Sequence, residues 1–411
     1  MVHFKQFDNG IRLIVKEMSG LMSVSMGIIV GTGAAVETDR EDGISHFIEH
    51  VMFKGTKTRT AFQISDQMDA IGAQMNAFTG KDITCYYAKS TSGHAGEAFE
   101  ILSDLFLNSV YPDEELKKEK GVVIEEINMN EDTPDDLCLD VLARAFFGEE
   151  NYGRNILGSK SNVNSFTRED IFAYLKSRYT TDNIVISMAG NISVQYAEEL
   201  VLKYFGSLAP TKADKREPKV KLQAKNLFKS KDIEQVHVAI AYPSFKRYET
   251  LCDATQIMNA VLGGSMSSRL FQTVREELGL AYTVYSYASS YENAGALTVY
   301  AGVNADNYRQ SVQAIYDCIA GIRSKNLTEE EFKRGKEQLL SSLIFAQENT
   351  SSQMLLYGKE LIYSGKLYDF EDRMYRLNAV TLGDVFEAID YNFDEKFKAT
   401  ALVGKVDGAL E

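Results

Sequence analysis

A chain of 411 residues is too long for one hydrophobic core and calls for two or more domains. Its apolar fraction of 45% is that of a globular protein, and no apolar run reaches the ~18 residues of a membrane span. A formal net charge of −14 argues against nucleic acid and anionic membrane as partners.

Residues 1–10 show neither the charged and apolar regions of a signal peptide nor an Arg/Ser-rich transit sequence, so a cytoplasmic location is expected. Residues 11–15 and 23–30 alternate or run apolar with β-branched members and predict strands. The next segment carries the most informative residues of the chain. His46 and His50 lie four apart, which on a helix sets them on one face, about 40° apart in azimuth and ~6 Å apart along the axis. Two imidazoles so placed can grip one metal ion. Glu49 sits between them, where a carboxylate can act as base toward water. The order His-x-x-Glu-His is the inverzincin signature, the reverse of the commoner zinc-protease order. The chain has only five histidines, and Ile44, Phe47, Ile48, Val51, Met52 and Phe53 surround the polar triplet. A solvated helix face does not have that composition.

Residues 84–88 predict a further strand and residues 97–107 a helix. Residues 114–127 read as a helix with Leu116, Val123 and Ile127 on one stripe. Glu119 and Glu126 stand two turns apart and flank Val123, which predicts two half-buried carboxylates on one side. A catalytic zinc takes three protein ligands and leaves one position for water, so a carboxylate from this helix is the expected third ligand. Periodicity alone does not choose between Glu125 and Glu126. Glu114 and Glu115 read as solvated.

Residues 184–190 close the first half with a strand ending at Gly190. Residues 211–231 carry eight basic side chains against Asp214 and Glu217, with Pro210 and Pro218 nearby, and predict an exposed linker. Beyond it, residues 234–240 and 296–300 predict strands, residues 308–322 a helix, and residues 399–406 a closing strand with Gly404. The halves echo each other: Glu131-Asp132-Thr133 matches Glu348-Asn349-Thr350, and Gly190 matches Gly404. The expected fold is α+β, with homologous domains at 1–209 and 232–411 joined by a basic linker at 210–231. Each domain is expected to be a mainly antiparallel sheet packed with helices. Laying Gly55 near Gly263-Gly264 puts Gln256, Asn259 and Ala260 opposite His46, Glu49 and His50, and the shared Glu-x-Thr sets Leu343 opposite Glu126. The metal-binding pattern is confined to the first half. Cys85, Cys138, Cys252 and Cys318 are scattered and read as buried free thiols.

The run from His46 to Thr56 resembles the zinc site of the pitrilysin, insulin-degrading enzyme and mitochondrial processing peptidase family. The resemblance covers essentially the whole chain, including its duplicated halves. It implies one Zn²⁺ per chain, held by His46, His50 and Glu126, since the spacing of 76 residues from His50 to Glu126 is the family's. It further implies Glu49 as general base and Glu119 as an outer glutamate that organises the ligands. Asn76-Ala77-Phe78-Thr79 resembles the edge strand that holds extended peptide by backbone pairing. Arg275 and Tyr282 resemble the pair that reaches the substrate carbonyl and the developing oxyanion. Gly263-Gly264 stands where the family has a glycine-rich loop that contacts substrate. The length is similar to that of processing-peptidase beta subunits and their bacterial relatives, which pair into a clamshell. The implied protein is a zinc endopeptidase of unfolded peptides, a homodimer in which Arg275 and Tyr282 of one subunit complete the other's site. The alternatives are a subunit that needs a different partner chain and a non-catalytic peptide-binding subunit.

Overall fold

The computed structural model describes residues 2–406. In chain order its elements are β1 (Val2–Gln6), β2 (Arg12–Glu17), β3 (Ser23–Val30), α1 (Ile44–Met52), α2 (Ala61–Ala70), β4 (Gln74–Thr79), β5 (Thr84–Thr91), α3 (Ala95–Asn108), α4 (Asp113–Asp132), α5 (Pro134–Phe147), α6 (Lys160–Ser165), α7 (Arg168–Arg178), β6 (Ile184–Gly190) and α8 (Val194–Phe205). There follow β7 (Asn226–Ser230), β8 (Gln235–Ser244), α9 (Cys252–Leu262), β9 (Ala281–Ser290), β10 (Gly295–Asn304), α10 (Tyr308–Arg323), α11 (Glu329–Gln347), α12 (Thr350–Ser364), α13 (Phe370–Ala379), α14 (Leu382–Asn392) and β11 (Ala399–Gly404).

They form two compact units, each with one sheet. Unit 1 has the strand order β1-β2-β6-β3-β5-β4 and unit 2 the order β7-β11-β8-β10-β9. All neighbours are antiparallel except β2 with β6 and β7 with β11, so the mainly antiparallel α+β fold stands. The duplication is visible strand by strand, with β3, β5 and β6 standing where β8, β10 and β11 stand. Gly190 and Gly404 end corresponding strands with φ of +138° and +141°. A Cβ there would come within 2.3 Å of the Ser23 carbonyl oxygen and 2.6 Å of the Gln235 carbonyl oxygen. Both positions need glycine because the strand closes tightly beside the start of its neighbour.

The apolar run of β3 is buried along nearly its whole length because both faces of the sheet are covered. On one face Met26, Ile28 and Val30 pack with Phe47, Val51, Phe99 and Leu102 of α1 and α3. On the other, Ile14, Val185, Ile29 and Cys85 lie under Leu355, Tyr357, Leu361 and Ile362 of α12. The Ser187 hydroxyl donates to the Met354 carbonyl at 2.7 Å and fixes that helix. Unit 2 is covered in the same way by α5, whose Leu137, Cys138, Leu142 and Phe146 meet Ala239, Ala241, Ala401 and Val403.

The units therefore do not follow the division into 1–209 and 232–411. Unit 1 runs to Ile127 and adds Asn155–Glu217 and Phe345–Asp369; unit 2 holds Asn128–Arg154, Pro218–Ile344 and the chain from Phe370. Each takes from the other half of the sequence the helix that covers its second face. The echoed tripeptides stand at the starts of those helices: Thr133 precedes α5, and Asn349 caps α12 by accepting from the Ser352 amide at 3.0 Å.

The linker is also more structured than its charge predicts. Residues 226–230 are the edge strand β7. Residues 211–216 are strapped to unit 1: the Thr211 amide donates to Thr181 Oγ1 at 2.9 Å, the Ala213 amide to Asp182 Oδ1 at 2.9 Å, and Arg216 pairs with Glu41 at 2.5 Å. Three cysteines are buried free thiols as expected; Cys252 is only half-buried, its Sγ facing the Lys246 carbonyl at 3.1 Å. Among the described residues no helix is long and apolar enough to cross a membrane.

Candidate metal centre

Core packing sets the azimuth of α1. Ile44, Phe47, Ile48, Val51 and Met52 all enter the core of unit 1, which leaves His46, Glu49 and His50 to share the remaining side. His46 is buried, and the two imidazole centroids stand 4.6 Å apart at 67°. Leu116, Val123 and Ile127 orient α4 in the same core. That packing chooses between the two candidate carboxylates: Glu125 is exposed, whereas Glu126 Oε2 lies 3.3 Å from His50 Nε2 and 3.6 Å from His46 Nε2. Among the described residues these three are the one group of His, Cys, Asp or Glu side chains with ligand atoms all within 4.8 Å of each other.

The donor set fits a cation. Burial first, and the neighbouring His50 second, hold the His46 imidazolium down at about 3, so this ring is neutral near pH 7. Glu126 Oε2 is buried yet accepts no hydrogen bond, although Nε2 of His46 and Nε2 of His50 both face it. Polar atoms that converge with no hydrogen bond among them are costly to bury. A divalent ion among them removes that cost, and two imidazoles with one carboxylate are a zinc-type set that leaves a fourth position open.

Around this group stands a second circle of contacts. Glu119, predicted half-buried, is buried: Oε2 lies 3.4 Å from His50 Nδ1 and Oε1 pairs with Lys54 Nζ at 2.8 Å. Lys54 was not anticipated: it lies just past the end of α1, in the turn after Met52, where helical periodicity no longer says which way a side chain points. Glu49 Oε2 accepts from Thr79 Oγ1 at 2.5 Å. Burial raises the Glu49 carboxyl above the usual range; Thr79 and His50 pull it back, and Glu126 adds to the rise. Thr79 ends β4, the edge strand of the sheet. On that strand Asn76 is exposed, Ala77 buried and Phe78 half-buried, and Asn76 Oδ1 accepts from the Ala77 amide at 2.8 Å.

The other implied site residues lie in unit 2. Arg275 sits on a π-helical turn, Phe271–Glu277, with its guanidinium 4.6 Å from the Phe271 ring centroid and 5.6 Å from that of Tyr282. π-turns are rare and frequent at functional sites. Tyr282, on the edge strand β9, is 77% exposed. Gly263 and Gly264 end α9, where the Gly263 carbonyl accepts from the Ser286 amide of β9 at 3.1 Å. On α9, Asn259 Oδ1 accepts from the Ser286 hydroxyl at 2.7 Å, an ordinary structural bond in the place of Glu49.

A duplicated α+β chain that carries the His-x-x-Glu-His helix in one copy alone has the build of an inverzincin-type peptidase. The chain belongs to the M16, insulinase/pitrilysin-like, peptidase family. Residues 13–160 match the family described as Insulinase (Peptidase family M16), and residues 165–339 match the Peptidase M16 inactive domain. An uncharacterized zinc protease of Bacillus subtilis (strain 168) is 42% identical over 96% of both chains. One from Rickettsia felis is 33% identical over 98% of both chains. Among solved structures, a protease from Helicobacter pylori superposes with a TM-score of 0.91 at 19% identity, covering 98% of this chain and 99% of that one. A peptidase M16 inactive domain structure from Pseudomonas fluorescens gives 0.92 at 18% identity, covering 99% and 98%. At those identities the structures speak to the fold alone, the two-domain M16 fold.

Proposed function

We propose that this chain is a zinc-dependent endopeptidase of extended, unfolded peptides. The observation that carries the reading is the convergence of His46, His50 and Glu126 beside a partly buried Glu49 that is itself tied to an open sheet edge. The names of the relatives as zinc proteases support it. Zn²⁺, when bound, supplies polarisation of the scissile carbonyl and lowers the pKa of water to ~7. Glu49 takes the proton of the attacking water and delivers it to the leaving nitrogen, with Thr79 holding one oxygen of the carboxylate in place. Glu119, anchored by Lys54, fixes the ring of His50. The free side of β4 takes the peptide backbone as an added strand, with Asn76, Ala77 and Phe78 setting its register. Two copies pair, and Arg275 with Tyr282 of one reaches the peptide at the metal of the other, while Gly263-Gly264 flanks it. The exposure of Tyr282 beside an aromatic-stacked guanidinium supports that role. The location expected for such a chain is cytoplasmic.

The test compares hydrolysis of fluorescence-quenched, unstructured peptides by the pure chain and its variants. The wild type cleaves. Glu49→Gln keeps its zinc and loses at least ~10²-fold in turnover. His46→Ala and Glu126→Ala lose zinc. A zinc-loaded wild type that cleaves no peptide sinks the self-sufficient enzyme. Zinc loss in Glu49→Gln but not in Glu126→Gln would reverse the roles of the two carboxylates.

A further inference from the structure

Glu37 is a buried carboxylate that the proposed chemistry does not use, and it stands at the head of the helix that carries His46, Glu49 and His50. The first amides of a helix have no partner inside it and need one where water is excluded. α1 begins behind Gly43, which has no side chain to cap it. Glu37 does so from outside the helix. Its Oε2 accepts from the Gly43 amide and its Oε1 from the Ser45 amide, both at 2.8 Å. Ser45 directly precedes His46, and its hydroxyl is 2.8 Å from the Tyr174 hydroxyl of α7.

The segment that presents Glu37 is itself pinned. The Ala34 amide donates to the Gly80 carbonyl at 3.0 Å and the Ala35 amide to the Lys81 carbonyl at 2.9 Å. Gly80 and Lys81 follow directly on β4, and β4 reaches α1 a second time through Thr79 and Glu49. The head of α1 and its metal-facing side are thus joined in one closed circuit of hydrogen bonds that runs through the β4–β5 turn. Apolar packing alone resists sliding and rotation of a short helix less sharply than directional bonds at its end do.

We propose that Glu37 is a positioning residue for the metal centre: acting through the head of α1, it sets the spacing and tilt of His46 and His50. The proposal rests on the reading of those residues, with Glu126, as a metal site. The test uses the full chain, as wild type and Glu37→Gln. Glutamine keeps the shape but offers one acceptor oxygen and turns an NH₂ group against the second amide. Zinc affinity is measured by chelator competition, and the visible spectrum is recorded after cobalt(II) substitution. Expected are a zinc dissociation constant about tenfold weaker in the variant and altered cobalt bands, which a general loss of stability at an unchanged site would not produce. Wild-type affinity together with a wild-type cobalt spectrum in the variant overturns the proposal. Should Glu37→Gln not fold, Glu37→Asp replaces it: the shorter arm cannot span both amides, so weaker zinc and altered bands are again expected, and wild-type values overturn. A wild type that takes up no zinc removes the metal-site reading and this proposal with it; a zinc-binding wild type with an indifferent variant removes this proposal alone.

Discussion

Thr79 shows how much of the site depends on single contacts. Its hydroxyl is the side-chain donor to Glu49, and it sits at the last position of the strand proposed to receive the peptide. Thr79→Val keeps the shape and β-branching and removes the donor. A hydrogen bond to a charged group contributes about 1.5–3 kcal/mol, so turnover of quenched peptides should fall roughly tenfold or more while zinc content stays at one per chain. Unchanged kcat in the valine variant would show that Glu49 needs no such anchor. His46, Glu49 and His50 were legible in the sequence because helical periodicity alone puts them together. Glu126 was legible only through the family's spacing and not through periodicity, since neighbours on a helix differ by about 100° and the docking of Val123 and Ile127 decides which carboxylate faces inward. Glu37, and the contact of Thr79 with Glu49, were silent for another reason. They reach α1 across loops, from a turn and from a strand end, and no periodicity encodes such contacts.

At the level of elements, strands and helices followed their patterns: residues 23–30 became β3 and residues 308–322 became most of α10. The failures have physical causes. The edge strand β7 carries Lys229 and an exposed Phe228 and follows directly on Lys225, and the charge that protects an open edge also makes it look like a linker. The π-turn that carries Arg275 has no hydrophobic signature of its own. Nor did amphipathicity say which sheet α12 would cover. Its docking is close at Gly358, where an added Cβ would lie 2.2 Å from Ile29 Cδ1 and 2.9 Å from Ser187 Cβ. Ile29 can yield at its tip, but the base of the Ser187 side chain on β6 cannot. Gly358→Val should therefore destabilise unit 1 by about 1–3 kcal/mol, read as a lower denaturant midpoint at unchanged slope. A wild-type midpoint would mean that α12 is not packed on β3 and β6 as described.

For the whole molecule, the exchange of helices decides how the chain can be divided. A fragment ending at Glu217 lacks α12 and leaves Ile14, Val185, Ile29 and Cys85 uncovered on one face of its sheet. It should bind hydrophobic dye and aggregate, whereas the intact chain nicked within residues 219–225 should elute as one particle; two separately soluble, folded halves would contradict the unit composition. The proposed completion of the site by a second copy is tested at the same scale. In a two-fold dimer every contact occurs twice, so a defect in one chain is seen at one site or at two according to which chain supplies which residue. Glu49→Gln removes the proposed base of its own chain, and Tyr282→Phe removes the proposed donor on unit 2. If the donor acts on the partner's metal, a mixed dimer of the two variants gathers both defects at one site and leaves the other whole. Random pairing of equal amounts then recovers about a quarter of wild-type hydrolysis from parents that are each impaired. If the donor acts within its own chain, every site in the mixture carries one defect and nothing is recovered. Recovery above both parents after the chains are mixed and allowed to exchange thus requires both a dimer and exchange of residues across it, and its absence would remove the shared site while leaving the candidate metal centre of unit 1 untouched.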